Sequence, residues 1–343
     1  MLRRMVTFAA VAAVLFALAR PAAANFATGF ESPMYSTASE LVPQDGWATQ
    51  FGGPWHVEDY ATSQIPWVPQ STGVLTYYTA PVNPNGGNQF VGKGTDDQGG
   101  SGGGRAWHAA TQSGLVEVSV DFCNGPEHDF PNYQGSIVSR GNWSGSGPGN
   151  MVGIYTTSAS SFVEPEQPNP NPPPPRNPRA GNWAFNVMAF DAAGNQLNIT
   201  NTPYHPFYRF SGVPGFDELP RETWWRMGYV IDTNSRRLVQ LKSQNLMTGE
   251  MWIMDNPQAD VGAGPVDMYI LGGAAGTDPL DAVGIYNVGN GQLSMFDNVY
   301  VGDPYDWPTP GAPEVEIPEP LTLGALGLAF AGLGGYARRR KRL

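Results

Sequence analysis

The sequence predicts an all-β protein whose body is one antiparallel two-sheet sandwich. Three observations carry the prediction. Aromatic residues make up 12% of the 343 residues and charged residues only 14%, so there is apolar surface to bury and little of the Lys, Glu and Arg on which exposed helices rely. Gly 43 and Pro 32 punctuate the chain in the manner of strands and turns. Apolar–polar alternation of period two recurs between residues 25 and 302, and no window outside the two ends has helical amphipathicity.

The chain opens with an export signal. Arg3 and Arg4 precede the apolar run Met5–Ala19, and Ala22-Ala23-Ala24 supplies the small residues of a cleavage site. Residues 1–24 therefore read as a signal peptide, with Asn25 starting the mature chain. The apolar run has 15 residues, fewer than the ~20 of a helical membrane span.

The body follows, over residues 25–302. Short strands are expected at Trp55–Glu58, Val74–Tyr78, Gln89–Val91 and Ala106–Ala109. Nine glycines among residues 86–104 make that stretch a surface loop. Leu115–Phe122 is the cleanest strand, with Val116, Val118, Val120 and Phe122 on one face and Glu117, Ser119 and Asp121 on the other. Eight prolines among residues 165–178 favour polyproline II and a solvated loop. Trp183–Phe190 is apolar on nearly both faces, as in a central strand, and Trp224–Ile231 is another strand. Leu238–Gln244 and Glu250–Met254 flank a hairpin turn at Met247-Thr248-Gly249. Val266–Leu271, Ile285–Val288 and Gln292–Val301 close the series, with apparent core strands on both sides of the proline-rich loop. One domain is therefore expected.

Residues 303–316, rich in Pro, Asp and Glu, read as a linker. Beyond it come Pro318-Glu319-Pro320, an uncharged apolar segment over residues 321–337, and the basic run Arg338, Arg339, Arg340, Lys341, Arg342. The apolar segment has 17 residues, the lower limit of ~17 for a transmembrane helix. Its basic flank is held on the cytoplasmic side, so the body lies outside.

This end resembles the PEP-CTERM sorting tail of bacterial proteins, which has a Pro-Glu-Pro motif, a short hydrophobic helix and a terminal Arg cluster in that order. The resemblance implies an exosortase-type membrane protease as partner, cutting near Pro318, Glu319 and Pro320. The protein would be anchored transiently through its C-terminal helix, then released or transferred to the cell surface or extracellular matrix. The alternative is a plain C-terminal anchor.

Phe30-Glu31, Gly46-Trp47, Val118–Phe122, Thr223–Asp232 and Leu293–Gly302 also fall in a familiar order. They resemble the concanavalin A-like (laminin-G-like) jelly-roll domains of exported bacterial proteins, with Phe296-Asp297-Asn298-Val299 the most characteristic piece. That resemblance implies a jelly-roll sandwich whose first and last strands pair. It leaves sugar binding, adhesion and glycan cleavage all open.

Charge excludes one class of partner. Removing the eight bases of the two ends leaves 11 bases against all 30 acids in the middle of the chain, a balance near −19. Such a field repels phosphate backbones, so no nucleic-acid partner is expected. Cys123 is the sole cysteine, so no internal disulfide staples the fold.

Catalytic chemistry finds no motif. Glycan cleavage needs two facing carboxylates, and Glu117 with Asp121 comes nearest, but the two stand four residues apart with no second Glu on that face. The one Gly-x-Ser-x-Gly match, Gly99-Gly100-Ser101-Gly102-Gly103, falls inside the glycine-rich loop with no strand-to-helix turn to carry it, and the four His form no His-x-x-x-His pair. The expectation is a non-catalytic protein. A divergent extracellular glycan hydrolase or lyase is one alternative, and a structural or adhesive matrix component without a small ligand is another.

Binding chemistry has better candidates. Aromatic rings stack on sugar faces, and Trp143, Trp107 and Tyr77 are the leading platforms for an extracellular polysaccharide. Asp297 and Asn298 are candidate ligands for a structural calcium, an ion that takes six to eight oxygens and that the jelly-roll resemblance also implies. They serve equally well as turn or strand-edge residues.

Overall fold

Two antiparallel sheets face each other across an apolar core. In the computed structural model the described residues are 25–308, excepting 38, 53–54, 68–73, 94–102, 127–134, 141–150, 159–181, 196, 198–207, 261–263, 270–279 and 289–292. All of them lie within the compact unit Asn25–Glu319. The signal peptide, the proline-rich loop, Trp143, Pro318-Glu319-Pro320, the 321–337 segment and the terminal basic run lie outside the described residues. Among the described residues no helix is long and apolar enough to cross a membrane.

Among these residues, nine strands make the larger sheet. Its order from one edge is Met251–Asp255, Arg237–Asn245, Trp225–Asp232, Leu115–Asn124, Ser294–Gly302, Gln89–Lys93, His56–Asp59 and Ser39–Glu40; Phe26–Thr28 also pairs with Ser294–Gly302. The first and last strands of the body are thus joined, Phe26 opposite Val301, as the jelly-roll resemblance implies. The smaller sheet has seven strands in the order Tyr208–Arg209, Trp183–Met188, Met151–Ser158, Gly135–Arg140, Leu280–Val288, Gly103–Gln112 and Ala48–Gly52.

The alternation read in the sequence sets the core. Val116, Val118, Val120 and Phe122 of the larger sheet join Ile137, Ile154, Val187 and Ile285 of the smaller one in a single buried cluster. Removing such side chains from water, at about 25 cal/mol per Å², is what holds the layers together.

The hairpin turn also forms where expected. Asn245 N donates to the Glu250 carbonyl at 2.9 Å and Gly249 N to the Asn245 carbonyl at 2.8 Å, with Gly249 at φ +81°, where a side chain is disfavoured.

Three expectations are corrected. The glycine-rich loop is shorter than 86–104: the expected strand at Gln89–Val91 forms within it as Gln89–Lys93, with Phe90 and Val91 fully buried, and Gly103–Gln112 takes its last two residues into another strand. Strands at Gly135–Arg140 and Met151–Ser158 had no counterpart in the sequence reading. Residues 303–308, expected to begin a linker, lie against the larger sheet, with Trp307 only 6% exposed.

Candidate functional site

The outer side of the larger sheet gathers most of the charged chemistry. Glu117, Ser119 and Asp121 have the parity opposite to the core residues, and alternation alone would send them to water. Instead Glu117, Asp121 and Asp297 are fully buried. Two pieces of chain cover them. The excursion between the His56–Asp59 and Gln89–Lys93 strands places Tyr60, Ile65, Trp67 and Ala80 against Phe90, Cys123, Trp224 and Met295. Residues 303–308 cover the other end.

Each buried carboxylate has its own partners. Lys242 Nζ donates to Glu117 Oε2 at 2.7 Å and to the Tyr305 carbonyl at 2.9 Å, while Trp307 Nε1 donates to Glu117 Oε1. Arg226 grips Asp121 with both arms of its guanidinium, Nε to Oδ1 at 2.6 Å and Nη2 to Oδ2 at 2.9 Å. The pairing is tight enough to raise the Arg226 pKa above its ordinary value, against the burial that would lower it. Such charges are tolerated inside a protein only because they are paired and hydrogen-bonded.

Among the described residues no Lys, Arg or His forms an ion pair with Asp297. It stands opposite Asp121 across adjacent strands. Its Oδ2 accepts from Tyr60 Oη at 3.0 Å and Asn83 Nδ2 at 3.1 Å, and its Oδ1 from Asn298 N at 2.8 Å. Burial, and then the Asp121 charge, push its carboxyl well above the ordinary range. A carboxyl in that position needs either a proton or a cation.

The local backbone explains how the motif is aimed. The ladder slips between Asp297 and Tyr300, and Asn298 sits at φ 45°, a left-handed position that Asn tolerates better than most residues. That bulge turns Asn298 Nδ2 onto Asp121 Oδ2 at 2.7 Å and the Asn85 carbonyl at 3.0 Å. Bare glycine backbones close the space around it. A Cβ at Gly29 would lie 3.0 Å from Asn298 Oδ1, and side chains at Gly86 and Gly87 would strike Asp297 and Glu31.

Hard oxygens, an excess carboxylate and a glycine-lined cradle are the chemistry that Ca²⁺ selects, so Asp297, Asn298 and Glu31 fit such an ion in kind. Among the described residues no three His, Cys, Asp or Glu side chains meet at one point, so backbone carbonyls and water would complete its shell.

The sugar-platform candidates separate. Trp107 is 1% exposed. It packs with Val138 and Ala282 across Gly284, where a Cβ would come 2.6 Å from the indole, and the Arg105 guanidinium lies 5.6 Å from its ring. It therefore offers no open face, which corrects the expectation for this residue. Tyr77 is 59% exposed. It belongs to the two-stranded ribbon of Ile65–Trp67 and Thr76–Tyr78, opposite Pro66. One side of the ribbon is anchored: Ile65 and Trp67 are buried, and Tyr78 Oη donates to Glu222 Oε1 at 3.0 Å. The other side presents Tyr77 with exposed Leu75 and Val74 beside it, and Val82 is exposed a little further along.

The functional partners missed in the sequence are Arg226, Lys242, Asn83, Tyr60 and Trp307. One signal was present. Arg226 is a charge inside a strongly apolar strand, and it stands directly opposite Asp121 on the neighbouring strand.

No protein-family model matches the chain, and no curated protein matches it. Solved structures similar to it include the Ca²⁺/Man2-bound form of the VIP36 exoplasmic/lumenal domain, at 12% identity over 75% of this chain and 83% of that chain with a TM-score of 0.37. Cellulose induced protein, Cip1, is similar at 11% identity over 81% and 97%, with a TM-score of 0.38. Lectin II from Ulex europaeus is similar at 11% identity over 81% and 97%, with a TM-score of 0.37. At these values the likeness assigns neither ligand nor activity to this chain.

Proposed function

We propose that this chain is an exported, non-catalytic protein of the cell surface or extracellular matrix whose sandwich binds polysaccharide through the Tyr77 ribbon. The carrying observation is the ribbon itself: an aromatic ring 59% exposed, on a strand whose opposite side is pinned to the sheet. A rigidly held exposed ring stacks on a sugar face with little ordering entropy to lose. Export through residues 1–24 and sorting through Pro318-Glu319-Pro320 by an exosortase-type protease complete the reading. Both rest on the residues of the two ends.

Two further parts belong to it. A structural calcium at Asp297 and Asn298 supplies the charge that Asp297 lacks. The carboxylates nearest to a hydrolytic pair, Glu117 and Asp121, are occupied by Lys242 and Arg226 and have no path to a substrate, which speaks for binding over cleavage.

The test is a panel of extracellular polysaccharides run against the full-length protein and Tyr77→Ala. Retardation of the native protein by one polymer, weakened about tenfold or more in the variant, is the expected result, a loss on the scale of an interface hot spot. Absence of binding across the panel overturns the sugar-binding part. Intact-mass analysis of the exported protein tests the sorting part, and a retained Arg338–Arg342 run overturns it.

A further inference from the structure

One edge of the larger sheet is the strand Met251–Asp255. Met251–Asp255 pairs on one side with Arg237–Asn245 in unbroken register, and among the described residues no strand pairs with its other side. Natural edges are blunted by Lys, Pro, a bulge or a cover. This one reads Met-Trp-Ile-Met-Asp and has none of the first three. Its outward side chains are apolar and open: Met251 is 42% exposed and Ile253 48%, with Met247 at 60% in the adjoining turn.

The hydrogen-bond phase identifies the free groups. Asn245 N donates to the Glu250 carbonyl, and Asn256 N donates to the Val239 carbonyl at 2.7 Å. In an antiparallel ladder the bonded positions alternate, so Glu250, Trp252, Met254 and Asn256 address the neighbouring strand. The N–H and C=O groups of Met251, Ile253 and Asp255 point away from it.

We propose that this edge pairs with the same edge of a second copy, antiparallel and two-fold, with Met251 of one copy opposite Ile253 of the other. This register satisfies the phase, because both are outward-pointing positions, and the two equivalent pairs exchange four backbone hydrogen bonds. It brings Met251 and Ile253 together on the outer face. On the inner face it sets each Trp252, already stacked on Trp225 at 5.8 Å, beside its counterpart.

Charge agrees with the register. Asp255, whose Oδ1 accepts from Gln240 Nε2 at 2.6 Å, meets Gly249, and Glu250 meets Met254, so no acid faces an acid in a body whose residues 25–302 hold 25 Asp and Glu against 11 Lys and Arg. A Lys or Pro on the strand would forbid this pairing, and neither is present. The joined sheets keep their outer faces on one side, so the dimer carries two Tyr77 ribbons facing the same way. That arrangement turns weak sugar contacts into avid ones.

The experiment is sedimentation velocity on the full-length protein in mild detergent over a hundredfold range of concentration, with Ile253→Lys beside it. The native protein is expected to move from monomer to dimer as concentration rises. The Lys variant, altered at an exposed position, is expected to stay monomeric with its melting temperature unchanged. A double variant, Met251→Cys with Ile253→Cys, is expected to form an intermolecular disulfide under mild oxidation, since Cys123 is buried. A native protein that is monomeric throughout overturns the proposal. So does a dimer that Ile253→Lys leaves intact, because another surface or the tail would then hold it.

Discussion

Asp121 and Asp297 occupy partner positions on adjacent antiparallel strands, both fully buried, and both accept a hydrogen bond from the same Asn83 nitrogen, at 3.0 and 3.1 Å. Two carboxylates so placed cannot both be charged without help, and Arg226 helps only one of them directly. The outer side of the larger sheet is organised around that imbalance.

Arg226→Met removes the cation and leaves Asp121 unpaired. The expected loss is about 3–5 kcal/mol of unfolding free energy, the usual consequence of breaking a buried pair on one side. Adding Asp121→Asn to the same chain should return part of that loss, because the two residues act as one unit. Urea unfolding of the three proteins measures both effects.

Calcium should stabilise the native protein and not Asp297→Asn. At a hundredfold excess over Kd a ligand adds about 2.7 kcal/mol. For a body of this size that is a rise of roughly 5–10 °C in Tm. Thermal unfolding in calcium and in chelator gives the comparison, and equal melting temperatures in the two buffers would remove the ion from the account.

Residues 303–308 should behave as part of the body. Gly228 leaves room for Trp307: a Cβ there would lie 2.7 Å from the indole and 2.9 Å from Ser119 Cβ. Gly228→Ala is therefore expected to lose about 1–3 kcal/mol by overpacking. Trp307→Ala is expected to lose about 3–5 kcal/mol, as for a large buried aromatic. Limited proteolysis should cut near Tyr305 in both variants before it cuts there in the native protein.

Asp232 provides a pH test at the turn after its strand. Hydrogen bonds from Ser235 Oγ at 2.7 Å and Asn234 N at 2.9 Å hold its carboxyl below the ordinary range, the Ser235 bond contributing most. A native value below the unfolded ~3.9 means that its stabilisation is present above that pH and is lost as pH falls through the native value. The effect is small because the group is largely in water. An NMR titration should find Asp232 depressed and Ser235→Ala nearer the ordinary value.

The core-facing residues were legible because burial on one face imposes a strict period of two. Val116, Val118, Val120 and Phe122 could be read from spacing alone. The opposite face was not, since alternation separates two faces without saying whether the second meets water. Glu117 and Asp121 read as solvent-facing, yet Trp307 covers the first and Asn83 the second. Gly135–Arg140 escaped for a related reason: Ile137 and Val138 are both fully buried, which erases the alternation. In Asp297-Asn298 the residue types were informative, whereas the bulge that aims Asn298 at Asp121 has no signature in the sequence.

The proposed polysaccharide site stands on the exposed Tyr77 ring. Affinity electrophoresis of the full-length protein and Tyr77→Ala through gels containing each polymer tests it most directly. The native protein is expected to be retarded, with a dissociation constant about tenfold or more higher for the variant and stability unchanged to within about 0.5 kcal/mol, as for an exposed position. Equal retardation of the two proteins would contradict it.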